Sequence, residues 1–125
     1  MQQGFDPRKF SELAKILMID GKYEKDARFR TVIGRLYYSV FLLAWKKLQD
    51  TGISVEDNEK IHKSVIEAFN DNRLSNIANG LDQLRKKRVD ADYHMLASVT
   101  LTDCRNYAEL SEYITDLIDQ IREIR

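Results

Sequence analysis

The stretch from Lys25 to Gln49 constrains the fold most, because it holds a helical rhythm for its whole length with no proline and a single glycine. Ile33, Leu36, Tyr37, Val40, Phe41, Ala44 and Leu48 recur three or four residues apart. That spacing lines one side of an α-helix, and so broad an apolar face has to be buried against other helices. Thr51-Gly52 marks its end.

The rest of the chain supplies the neighbours. Asp6-Pro7 opens an earlier helix, since an Asp cap accepts orphan amides and proline suits the first helical position. Phe10, Leu13, Ala14 and Leu17 form its stripe. Asp20-Gly21 stops it, with Gly21 expected in the left-handed conformation. Ser54-Val55-Glu56-Asp57 resembles a capping box and is expected to open a third helix, with Ile61, Val65, Ala68 and Phe69 inward and Asn70-Asp71-Asn72 closing it. A fourth helix carries Leu74, Ile77, Leu81, Leu84 and Arg88, an apolar stripe that ends in a charge. Val89 to Val99 lacks a clear period and reads as loop or irregular helix. Thr100-x-x-Asp103 caps a last helix bearing Tyr107, Leu110, Ile114, Leu117, Ile121 and Ile124. Short connections and single apolar faces predict an all-α, antiparallel up-and-down bundle of four main helices and a shorter one, a single domain over residues 1–125.

Composition agrees with this. One proline and five glycines in 125 residues are too few for a loop-rich or all-β fold. No apolar run approaches the roughly 20 residues that span a bilayer. The N-terminal MQQGFDPRKF mixes acid and base without an apolar stretch, so it does not read as a signal peptide. Cys104 stands alone, and a cytoplasmic protein is expected. Twenty basic and twenty acidic residues leave none of the basic excess of a protein that coats nucleic acid indiscriminately. The distribution is uneven, however. Arg85, Lys86, Lys87 and Arg88 form one basic run, whereas Asp103 to Asp119 is mostly acidic. Polyanion contact is therefore expected locally at that run, although four cations also suit the dipole of a helix end.

Two segments exceed what a bundle requires: Arg35-Leu36-Tyr37-Tyr38-Ser39-Val40-Phe41 on the long helix, and Arg88-Val89-Asp90-Ala91-Asp92-Tyr93-His94 after the fourth. Arg35 lies among apolar residues and needs a carboxylate, which Asp92 or Asp90 could supply bidentately; a structural pair between helices is expected. Tyr37, Tyr38 and Tyr93 read as core residues. Leu43 and Trp45 lie off the main stripe and are candidates for an interface. Two separate histidines, with no Cys pair and no His-x-x-Glu spacing, give no metal site, and no glycine-rich phosphate loop or cofactor motif is present.

The order R-x-YY-x-x-F on a long second helix, a histidine near the start of the third, then R-x-x-ADY after the fourth resembles the HEPN family (higher eukaryotes and prokaryotes nucleotide-binding domains), in particular its small stand-alone prokaryotic members. The matching residues are Arg35, Tyr37, Tyr38, Phe41, His62, Arg88, Ala91, Asp92 and Tyr93. The resemblance implies a helical bundle that dimerises. It also implies a metal-independent endoribonuclease working at a composite site across the homodimer, often a toxin or phage-defence effector beside a nucleotidyltransferase antitoxin. Other members are non-catalytic modules for dimerisation or for binding a partner or nucleotide. In the ribonuclease members an Arg and a His a few residues apart do the chemistry, and Arg88 and His94 stand in that relation here. An imidazole can move the proton of a ribose 2′-hydroxyl, and a guanidinium can hold the phosphate by two hydrogen bonds. Val89 stands where ribonuclease members carry a polar residue. His62, Asp92, Tyr93 and Arg85 are candidate supporting residues, with His62 open to a packing or capping role instead.

Overall fold

The computed structural model describes residues 4–124, and among these the chain forms five helices and no strand. They are α1 (Arg8–Ile19), α2 (Lys25–Asp50), α3 (Ile61–Asp71), α4 (Ser75–Tyr93) and α5 (Leu101–Asp119). Met1 to Gln3, the start of the N-terminal stretch considered above, lie outside the described residues. The structure is an all-α bundle, as the periodicity requires. No helix among the described residues is long and apolar enough to cross a membrane.

The central element is α2. Its 26 residues extend about 39 Å at 1.5 Å per residue, and it packs against each of the other four helices. Two cores form along it. Phe29, Val32, Ile33 and Leu36 of its first half meet Ala14 of α1, Ala91 at the end of α4, Val99 just before α5 and Cys104 in its first turn. Burial pushes the Cys104 thiol up to about 11, so it packs as a small apolar group. Tyr37, Val40, Phe41, Ala44 and Leu48 of the second half meet α3, the start of α4 and the end of α5.

Local signals act as the residues suggest in several places. The Asp6 carboxylate accepts the Arg8 amide at 3.0 Å just ahead of α1. Thr100 and Asp103 form a reciprocal capping box on α5, at 3.1 and 2.9 Å. Gly52 takes the left-handed conformation after α2, with φ 88°.

Other expectations need correction. Gly21 is not left-handed; α1 ends on Asp20 in an extended conformation. Ser54 to Asp57 open no helix, because α3 begins only at Ile61, with Lys60 before it making no side-chain cap. The connection 51–60 instead delivers α3 beside the middle of α2. The segment after Val89 is helical as far as Tyr93, so α4 continues a full turn past the basic run. The last helix stops at Asp119, and Ile121 and Ile124 pack against the core from outside it. Leu43 and Trp45 are not an exposed interface. Leu43 is buried, and the half-buried Trp45 packs against Phe41 with ring centroids 6.1 Å apart.

α4 packs directly on α5 at Gly80. A Cβ there would stand 2.5 and 2.6 Å from Ile114 Cδ1 and Cγ1, and Ile114 is wholly buried. Replacing a helical glycine by alanine gains about 1 kcal/mol in propensity, but forcing a methyl group into a packed contact costs about 1–3 kcal/mol. Gly80→Ala should therefore lower stability in urea unfolding, and a variant more stable than wild type would contradict this packing.

Candidate functional site

The end of α4 is held by one side chain that sequence reading passed over. Arg30 is one of several charged residues near the start of α2. In the structure its guanidinium pairs with Asp26 at 3.3 Å and donates to the carbonyls of Asp90, Ala91, His94, Met95 and Ala97. The last carbonyls of a helix have no partner within it. A planar fork of five N–H groups satisfies several at once and fixes the chain that follows. Met95 and Leu96, at the tip of that segment, are fully exposed. Nothing in the local pattern of residues 25–30 announces this contact, which spans more than 60 positions in sequence.

His94 follows immediately after α4. Its Nδ1 lies 2.7 Å from Asp90 Oδ1, one turn back, and its backbone amide donates to the Asp90 carbonyl at 3.1 Å. Because the carboxylate accepts, Nδ1 carries the hydrogen and Nε2 is left as the free ring nitrogen. The ring is 58% exposed, so that nitrogen is open to a ligand. A shallow groove beside it is lined by Asp82, Arg85, Lys86, Val89, Asp90 and His94.

The four cations of the basic run part company around α4. Lys86 pairs with Asp82 at 2.9 Å, and Lys87 with Asp103 at 3.4 Å. Arg88 Nε lies 2.9 Å from Asp92 Oδ2, but its N–H is not aligned to donate there, so the contact is one of charge. The same guanidinium sits over the rings of Tyr38 and Tyr93, at 5.3 and 5.6 Å. Arg85 alone has no hydrogen-bond or ion-pair partner among the described residues. Since α4 runs on past these residues, the run does not neutralise a helix end.

This arrangement overturns two assignments. Asp92 pairs with Arg88, four residues away on the same helix, and Asp90 with His94, so neither serves Arg35. Arg35 instead lies over Phe10 at 4.7 Å and Tyr38 at 5.4 Å, where aromatic faces take the place of a carboxylate. Asp92 does approach α2: its Oδ1 is 3.9 Å from where a Cβ on Gly34 would stand. Tyr93 is also not a core residue, being two-thirds exposed, whereas Tyr37 is buried and Tyr38 half-buried.

On α3, His62 Nδ1 lies 2.6 Å from the Tyr37 hydroxyl, and its ring stacks on Phe41 with centroids 4.3 Å apart. Burial, then the nearby Arg85 and Arg88 charges, lowers its pKa. Burial likewise raises that of Tyr37, which stays a neutral phenol. His62 thus packs and also binds, but it caps nothing. Of the residues singled out in the sequence, Arg88, Asp92 and Tyr93 touch one another, and His62 and Arg85 adjoin them. His94 turns to Asp90 and makes no contact with Arg88. Among the described residues no three His, Cys, Asp or Glu side chains are grouped to hold a metal ion.

No protein-family model matches the chain, and no solved structure matches it. An uncharacterized protein of Methanocaldococcus jannaschii is similar, 28% identical over 116 residues. The alignment covers 78% of this chain and 66% of that relative, so the chain spans a little under two thirds of the relative's length.

The lowered pKa of His62 has a measurable sign. Unfolded histidine titrates near 6.5, so as pH falls the unfolded chain takes up this proton before the folded chain does. The stability that depends on neutral His62 is complete above about pH 6.5 and is lost as pH falls through the lower folded pKa. His62→Phe keeps a ring on Phe41 but cannot titrate. Urea unfolding at about pH 7.5 and pH 5 should show the advantage of wild type over this variant shrinking with acid. An advantage that grows with acid would contradict the assignment.

Proposed function

We propose that the chain binds single-stranded RNA in the groove beside His94 and cleaves it without a metal, as HEPN ribonucleases do. The observation that carries this reading is the Asp90–His94 pair: a ring held by its Nδ1, with Nε2 open to solvent, in a groove that also contains the unpaired Arg85. Nε2 takes the proton from a ribose 2′-hydroxyl while the 2′-oxygen bonds to the adjacent phosphorus. The bond from phosphorus to the 5′-oxygen breaks, and that oxygen receives a proton. The products are a 2′,3′-cyclic phosphate and a 5′-hydroxyl. Arg85 holds the non-bridging oxygens, where charge builds up. Arg88, bound to Asp92 and lying between two tyrosines, positions the last turn of α4. A second copy of His94 across a homodimer would supply the second proton-transfer group. Such an enzyme would serve as a toxin or phage-defence effector.

The Arg88–Asp92 pair also favours a second reading. With that guanidinium already neutralised, the same bundle serves as a non-catalytic module that binds a nucleotide or a partner.

Cleavage of single-stranded RNA in excess chelator decides between them. Wild type should leave 2′,3′-cyclic phosphate ends and should not cut DNA, which lacks the nucleophile. His94→Ala should lose about a hundredfold or more of the rate while remaining helical. Asp90→Asn should also lose activity, because an amide can donate as well as accept and no longer holds the hydrogen on Nδ1. Arg88→Lys should fold and retain most of the rate if Arg88 only positions. Equal cutting by wild type and His94→Ala would mark a contaminant and leave the binding-module reading.

A further inference from the structure

A second donor, on His62, faces outward on the α3–α4 side, and the cleavage step does not use it. It is built on Tyr37, whose side chain is fully buried. A phenol hydroxyl sealed from water must place its hydrogen somewhere, and a buried donor left unsatisfied costs about 1–3 kcal/mol. Its one hydrogen-bond partner among the described residues is His62 Nδ1, at 2.6 Å. Nδ1 is therefore the acceptor, and the neutral ring carries its hydrogen on Nε2. Stacking on Phe41 holds the ring plane, and His62 remains partly exposed. The result is an N–H donor with a fixed direction at the surface.

Arg85, which the cleavage step also uses, stands between this donor and the His94 groove. It is half-buried and without an ion pair, its charge reaches His62 on one side, and it lines the His94 groove on the other. Arg88, three residues along the same face of α4, adds positive potential although it is bound to Asp92. Two donors with no acceptor of their own, a neutral imidazole N–H and a guanidinium, are the chemistry of an oxyanion site. Neutrality of His62 matters here, because a second full charge beside Arg85 and Arg88 would be repelled.

The geometry points to a phosphate subsite at His62, with Arg85 shared between it and the His94 groove, which takes the phosphodiester next to the one at His94 and fixes the register of the RNA strand. This inference rests on the RNA reading above, but it concerns binding rather than cleavage, so the two can fail separately.

The probe is a 2′-O-methyl oligouridylate, which binds as RNA but has no free 2′-hydroxyl to react. With ¹⁵N-histidine-labelled protein, long-range ¹H–¹⁵N spectra should show His62 protonated on Nε2 and unprotonated on Nδ1. Titration with the probe should shift the His62 ring signals along with those of His94. His62→Phe should bind about tenfold more weakly, and Arg85→Gln should also reduce the dependence of log Kd on log salt by about 0.7, one phosphate contact on a single strand. Tyr37→Phe leaves the imidazole in place but removes its anchor, so affinity should fall severalfold and the tautomer signals should average. His62 signals unmoved at saturation, the opposite tautomer, or no binding by wild type at low salt would each overturn the subsite. Cleavage by wild type with unchanged probe affinity in His62→Phe would sink the subsite alone. Binding through His62 without any cleavage would sink only the nuclease reading.

Discussion

The burial of α2 governs everything else in this molecule. A helix of 26 residues that touches four others cannot be covered by one packing layer, and the chain covers it in two. The first half is enclosed by α1, the end of α4 and the start of α5. The second is enclosed by α3, the start of α4 and the end of α5. α4 therefore has to run nearly the length of α2. Its last turn arrives beside Gly34, with Asp92 Oδ1 3.9 Å from where a Cβ there would stand. The candidate site lies at the seam between the two cores, where Tyr37 and Tyr38 of α2 meet His62 of α3 and Arg88 of α4.

Two arginines fix that seam by opposite means. Arg30 donates to backbone carbonyls and so stiffens the turn that presents His94. Arg88 uses charge and aromatic faces, and holds Asp92 and Tyr93 in place around itself. Both guanidiniums are under a fifth exposed, and each holds neighbouring groups in place. The cation left over, Arg85, is the one a bound anion would find unoccupied. Zero net charge agrees with this pairing, since most of the cations described around α4 have an acidic partner within reach.

The two histidines are prepared in complementary ways. His94 has a carboxylate on Nδ1 and presents a bare Nε2, which can accept a proton. His62 has a phenol on Nδ1 and presents Nε2–H, which can only donate while neutral. One ring type thus presents either a bare nitrogen or an N–H through the identity of the group behind it. A strand of RNA crossing α4 would meet both, with Arg85 between them.

The helices were legible because α-helical hydrogen bonding is local: a stripe at three- and four-residue spacing, the Thr100–Asp103 box and Gly52 all act within a turn of themselves. The site residues were legible as candidates for the same reason, since His94 and Asp90, like Arg88 and Asp92, are one turn apart. Their partners were not. Arg35 reads as needing Asp92 or Asp90 because a guanidinium among apolar residues wants a carboxylate, yet α1 brings Phe10 over it while Arg88 and His94 take the two acids from within a turn. Leu43 and Trp45 looked like surface because a single stripe predicts a single buried face, whereas α2 is enclosed on several. Ser54 to Asp57 looked like a cap because capping chemistry alone does not fix where a helix starts; here the connection is spent returning α3 to the middle of α2, and only that return brings His62 to Tyr37. Sequence by itself determined the helices and the inventory of charged and aromatic groups. Tertiary structure decided which of those groups neutralise one another and which are left free, because pairing depends on how far each helix runs and how closely its neighbours approach, and both are set by packing across the whole chain.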